Sequence, residues 1–222
     1  MNLNMSLAKG ISKTPATRAA AVAAVFAAAA AFAAIASAAP AAWDLSLSSS
    51  ARLDVADQAI RTRNAGLAGA MIAGFSREPR AGVRAAMLRA VANLKPAGTQ
   101  AFLTQALQDP SPLVRQSAAA ALGRLGGAAA LSSLAAALGA EADSGVRLTI
   151  AFWLGFGPGP GGSGAVAALS SVLASDRDPN VRLQAAQSLA RLAGLGSGPA
   201  RSALKTGLKD SDPRVRRAAG GI

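Results

Sequence analysis

The chain has 222 residues, of which 51% are apolar but only 4% aromatic, and 23 Lys and Arg against 11 Asp and Glu give it a formal net charge of +12. It contains no Cys and no His, which excludes disulfides, thiolate nucleophiles and Cys-based metal sites and removes the usual general base and the commonest metal ligand. Ala and Leu carry the hydrophobicity, a balance that suits close-packed helices better than a β-sandwich.

Residues 1–18 carry Lys9, Lys13 and Arg18 and no acid, Ala19 to Ile35 is uncharged and apolar, and Ala36-Ser37-Ala38 follows. A positive region, an apolar region and a small-x-small site describe a secretory signal peptide over 1–38, and hence a secreted or periplasmic protein. An uncleaved membrane anchor and an organelle transit peptide are the alternatives, although the Ala-rich run is weakly hydrophobic for a stable span. Cleavage after Ala38 removes three cations and no acid, taking +12 to +9. Residues 39–52, with Trp43 and the serines of 46–50, read as a disordered leader. Leu53–Arg61 and Leu67–Phe75 pattern as two helices of a degenerate capping unit over 53–75.

From about residue 76 one pattern recurs. Arg84, Arg115, Arg147, Arg182 and Arg216 are spaced by 31, 32, 35 and 34 residues, and a Val precedes each. Glu78, Asp109, Glu141, Asp176 and Asp210 each lie six positions before one of them. A period of this length marks stacked repeats, starting near 76, 109, 141 and 176 with a partial unit from 210. In each unit the turn leads to a helix start such as Ser111-Pro112, Asp178-Pro179 or Asp212-Pro213, a cap followed by Pro at the first helical position. Asp143-Ser144 keeps the cap without the Pro, and Arg80-Ala81 has neither. Positions three, four and seven after the arginine are apolar, as in Ala118, Ala119 and Leu122, or Ile150, Ala151 and Leu154, which with the Val forms one helical stripe. A break rich in Gly or Pro ends that helix, and a second stripe follows: Phe102, Leu103, Leu107; Leu131, Leu134, Leu138; Val166, Leu169, Val172, Leu173; Leu204, Leu208. The expected fold is therefore all-α, an α-α superhelix of about four to five two-helix repeats over 53–222. Each arginine, on the first turn of its helix, is expected to bond the carboxylate six residues before it and the turn carbonyls, building a structural ladder along the stack. A row of anion-binding arginines is the functional alternative.

These units resemble HEAT-like repeats of the short type found in phycobilisome lyase subunits and many bacterial proteins. The pattern D-x-D-P-x-V-R-x-x-A-A-x-x-L stands here from Asp176 to Leu189, and the resemblance covers about residues 76 to 222. It implies an α-solenoid that serves as a scaffold. The chain resembles HEAT-like deoxyhypusine hydroxylases too, but those hold iron through His-Glu pairs and this chain has no His. No residue for handling a bilin chromophore stands out.

No catalytic, cofactor or metal constellation is expected. Phe152, Trp153 and Phe156 form the one aromatic cluster, beside the glycine-rich run Gly155 to Gly164, and are the candidate partner-binding residues, with core packing as the alternative. The glycines lack the following Lys of a phosphate-binding loop. The expected function is non-catalytic protein binding, with an unidentified protein as partner. An accessory subunit of a modifying enzyme, lyase-like or chaperone-like, is one alternative, and a basic module on an anionic envelope polymer or membrane surface is another. An exported protein rarely meets nucleic acid, which is not the expected partner despite the charge.

Overall fold

The computed structural model of the chain describes residues 43–156 and 163–221. The expected signal peptide, the first four residues of the expected leader, the glycine run 157–162 and Ile222 lie outside them. The described residues form helices joined by short turns: α1 (Ser49–Thr62), α2 (Ala65–Gly74, extended by a 3-10 turn Phe75–Arg77), α3 (Ala81–Leu94), α4 (Thr99–Ala106), α5 (Pro112–Leu125), α6 (Ala128–Ala140), α7 (Ser144–Gly155), α8 (Ser163–Ser175), α9 (Pro179–Gly194), α10 (Gly198–Gly207) and α11 (Pro213–Gly220). The odd-numbered helices pack in succession, each against the next, and α2, α4, α6, α8 and α10 form a second row against them. Five two-helix units and the first helix of a sixth are thus present among the described residues.

Local chemistry sets the boundaries. Asp143, Asp178 and Asp212 cap α7, α9 and α11 by accepting backbone N–H bonds from Val146, Asn180 and Arg214, which satisfies donors that the helix itself leaves free. Pro112, Pro179 and Pro213 occupy first-turn positions where a missing N–H costs nothing. Ser111 stands at the N-cap of α5, but its side chain makes no capping bond. Gly126 and Gly127, with φ of 71° and 85°, separate α5 from α6 in a conformation that side chains disfavour.

The core is the pair of stripes. Val83, Val114, Val146, Val181 and Val215, together with Ala118, Ala119, Leu122, Ile150, Ala151, Leu154, Ala185, Ala186 and Leu189, are all buried. Each Leu or Ile of this set contributes on the order of 1.5–3 kcal/mol, and the alanines let neighbouring helices approach closely. In the second row the stripe holds except at Leu208, which is 50% exposed; among the described residues no further unit covers it.

The leader expected to be disordered is folded from Trp43 onward. Trp43 is buried, its Cβ and ring lying against Gly74, where any side chain would collide with it. Its indole Nε1 donates to Glu78 Oε2 at 2.9 Å. α1 starts at Ser49 rather than near Leu53, with Ser48 as its cap. The apolar area and the buried hydrogen bond of one Trp outweigh the entropy of ordering a short Ser-rich segment.

Candidate functional site

The signature residues form a continuous ladder, in a register different from the expected one. Arg115 Nη1 donates to the backbone carbonyls of Asp109 and Pro110 at 3.0 and 3.2 Å. Its Nε and Nη2 donate to Glu141 Oε2 and Oε1 at 2.8 and 2.7 Å. The acid six residues before the arginine thus supplies its carbonyl, and the acid of the following unit supplies the carboxylate. Arg84 does the same with Asp109, Arg147 with Asp176, and Arg182 with Asp210. The expected pairing of each arginine with the carboxylate of its own turn is therefore corrected. That carboxylate instead shapes the turn. One oxygen of Asp109 accepts the N–H of Ser111 at 2.9 Å and so fixes the residue that starts the helix. The same bond recurs from Glu78 to Arg80, Glu141 to Asp143, Asp176 to Asp178 and Asp210 to Asp212. Both oxygens of Asp109, including the one that accepts this N–H, also receive the arginine of the preceding unit.

A further rung precedes the five signature units. Arg52 Nη2 donates to Glu78 Oε1 at 3.1 Å, and its Nε lies 2.8 Å from Oε2. Arg52 also donates to the carbonyls of Leu45 and Leu47. Asp44 closes its turn by accepting from Ser46 N–H at 2.8 Å, as the other acids do. This unit escapes the sequence pattern because Ala51 replaces the Val and Asp44 lies eight residues before Arg52, not six. The 26 residues from Arg52 to Glu78, the same as from Arg115 to Glu141, are the signal that reveals it.

The electrostatics follow from this geometry. The Arg115 fork holds the Glu141 carboxyl below its ordinary value, against the opposing effect of burial. Burial would raise Glu78 and Asp176, but for Glu78 the bonds from Trp43, Arg80 and Arg52 outweigh it, and for Asp176 those from Arg147 and Asp178. Arg182 lowers Asp210 in the same way. Bidentate, partly buried pairs of this kind are mutually dependent, because removing one partner strands the other's charge away from water.

Arg216 differs. Its Nη1 donates to the carbonyls of Asp210 and Ser211 at 2.7 and 2.9 Å, the same anchorage as for Arg84, Arg115 and Arg147. Among the described residues no carboxylate meets its Nε and Nη2.

Phe152, Trp153 and Phe156 come together on α7. Phe152 stacks on Phe156 with centroids 4.3 Å apart, and Trp153 meets Phe152 edge-on at 5.3 Å. Trp153 also lies on Gly123 of α5, where an added Cβ would fall 2.2 Å from the indole ring. Phe152 and Trp153 are half-buried and Phe156 is 49% exposed. The Arg191 guanidinium sits 4.4 Å above the Phe156 ring and donates to Gly155 O, a cation–π contact that holds the exposed ring in place.

Open grooves run between helices of the second row, among them those of α2 and α4 (about 680 Å³), α4 and α6 (about 710 Å³), and α8 and α10 (about 640 Å³). Each ends at a ladder rung. Among the described residues no three carboxylates approach one another as metal ligands would.

A family model described as HEAT repeats matches residues 70–155 and 166–220. The match begins within α2, so Asp44 and Arg52 lie outside it. No curated protein matches the chain.

Proposed function

The chain belongs to the HEAT-repeat family, and from that premise we propose that it is a non-catalytic protein-binding scaffold, exported to the periplasm or beyond by its N-terminal segment. The observation that carries this reading is where the carboxylates are spent. Of the 11 in the chain, Asp54 alone makes no hydrogen bond among the described residues. Five receive ladder arginines, and the others cap helices, close turns or pair with a neighbouring cation. Acid–base chemistry needs a carboxylate free to exchange a proton at a substrate, and these groups are committed to architecture. HEAT repeats act by presenting surface to a partner. The feature here that departs from the repeat is the Phe152–Trp153–Phe156 edge, an aromatic anchor of the kind that dominates binding energy. Cleavage after Ala38 leaves Trp43 in place, so export and folding are compatible.

The test is a photo-crosslinking side chain at position 156, or on the solvent side at Gln105, in the full chain expressed in its own cells. A specific adduct from position 156 and none from position 105, at a melting temperature within about 4 °C of the parent for both proteins, is expected. Equal yields from both positions would remove the aromatic edge as the contact. The anionic-surface reading draws on the exposed Lys205, Lys209 and Arg217; it requires binding to polyanionic vesicles that collapses between low and moderate salt.

A further inference from the structure

Resting on the scaffold reading just given, we propose that the partner segment bound at the aromatic edge is acidic. It sets an apolar side chain against Phe152 and Phe156 and carboxylates on Arg124 and Arg191. The register of the repeat brings these residues together. Phe156 and Arg191 each stand nine positions after a ladder arginine, Arg147 and Arg182, and they meet across α7 and α9. Arg124 stands nine positions after Arg115, and α5 packs on α7 as α7 packs on α9. Arg124 therefore flanks Phe156 from the other side. Leu148, Phe152 and Phe156 are four residues apart and form one strip along α7. Arg124, Leu148, Phe156 and Arg191 are all exposed.

The charge on this face is uncompensated. The helices α3, α5, α7 and α9 contain no Asp or Glu, and Asp57 of α1 is taken by Arg89. All 11 carboxylates of the chain lie among the described residues, and none of them meets Arg124 or Arg191. Arg124 makes no hydrogen bond or ion pair there, and Arg191 spends one nitrogen on Gly155 O. The ring itself sets the class of ligand. Phe152 stacks on one face of Phe156 with centroids 4.3 Å apart, and the Arg191 guanidinium covers the other at 4.4 Å. A nucleobase needs an open aromatic face on which to stack and finds none here. What remains is the ring edge, the positive end of the aromatic quadrupole, between two guanidinium forks whose planar geometry fits carboxylates. An apolar side chain with neighbouring Asp or Glu satisfies both features.

The test is selection from a random peptide display library on the full chain at low salt, followed by titration of the selected peptides into Arg124→Glu and Lys205→Glu. The two reversals change the net charge equally, but Lys205 lies on α10, in the other row. Neither side chain makes a hydrogen bond or ion pair among the described residues, so both variants are expected to melt within about 4 °C of the parent. Arg124→Gln replaces Arg124→Glu if the reversal melts lower. The enriched peptides are expected to carry Asp or Glu beside Phe, Trp or Leu. They bind Arg124→Glu about tenfold or more weakly than the parent, and Lys205→Glu as well as the parent. Enrichment of apolar peptides without acids, equal weakening by both reversals, or no enrichment would each overturn the acidic partner. So would a single-stranded oligonucleotide that binds the parent and weakens in Arg124→Glu as the peptides do, because the face would then take any polyanion. The crosslink from position 156 judges the scaffold reading separately: an adduct there with acid-free peptides here would keep that reading and sink this one.

Discussion

Each ladder arginine divides its guanidinium between two neighbours. One nitrogen satisfies the carbonyls of its own turn and the other two clamp the following unit. Only Arg does this well, because its planar fork fits a carboxylate while a third nitrogen remains free, whereas Lys is a point charge. The paired carboxylates determine the response to acid. Glu78, Glu141, Asp176 and Asp210 are all held below their ordinary values of 4.5 for Glu and 3.8 for Asp. A lowered folded-state pKa contributes stability that is complete above the unfolded value and is lost as pH falls through the folded one. With no His in the chain, no side chain of ordinary pKa titrates between about pH 5 and 8. The melting temperature is therefore expected to be flat from pH 8 to 5 and to fall steeply below about pH 4. A fall already complete at pH 5 would contradict the ladder as its source. The residue types of this ladder were legible in the sequence, but its partners were not. In a repeat every offset recurs, so an acid six residues before each arginine and an acid about one unit after it are equally periodic. Geometry alone separates them: the acid's carbonyl faces its own arginine and its carboxylate faces the previous one.

At the level of the helix, caps, Pro positions and stripes placed the elements from α3 onward close to where they lie. The elements that sequence reasoning misjudged are at the N-terminal side. The two helices expected over 53–75 are present as α1 and α2, but two extra residues between Asp44 and its cap, and Ala51 in place of Val, hid that unit's earlier start and its Arg52 rung. The serines suggested disorder where Trp43 supplies an anchor. Close approach was also hidden, since a helical Gly looks the same whether it faces water or an indole. The structure separates the two cases. An added Cβ at Gly69 of α2 meets nothing within 4 Å, whereas at Gly123 of α5 it would lie 2.2 Å from Trp153. Gly69→Ala is expected to stabilise the protein by about 0.5–1 kcal/mol through helix propensity. Gly123→Ala is expected to destabilise it by about 1–3 kcal/mol through overpacking. Urea unfolding of the two variants checks this, and a stabilising Gly123→Ala would mean that Trp153 does not seat against α5.

At the level of the whole molecule, stability is distributed along one dimension, each unit resting on its neighbours and tied to the next by a bidentate ion pair. The pattern consumes nearly all the acids and leaves many cations on the surface, which is why a basic composition need not report a nucleic-acid partner. The aromatic edge at the end of α7, where the regular repeat is broken, is the place at which the proposed partner contact is tested. The register of the ladder underlies all of this, and a pair of double-mutant cycles measured by denaturant unfolding tests it most directly. One cycle combines Arg115→Ala with Glu141→Ala, the other Arg115→Ala with Asp109→Ala. The ladder predicts a coupling energy above about 1 kcal/mol for Arg115 with Glu141 and below about 0.5 kcal/mol for Arg115 with Asp109, whose carboxylate serves Arg84. Strong coupling to Asp109 with none to Glu141 would return each arginine to the acid of its own turn and dismantle the inter-unit ladder.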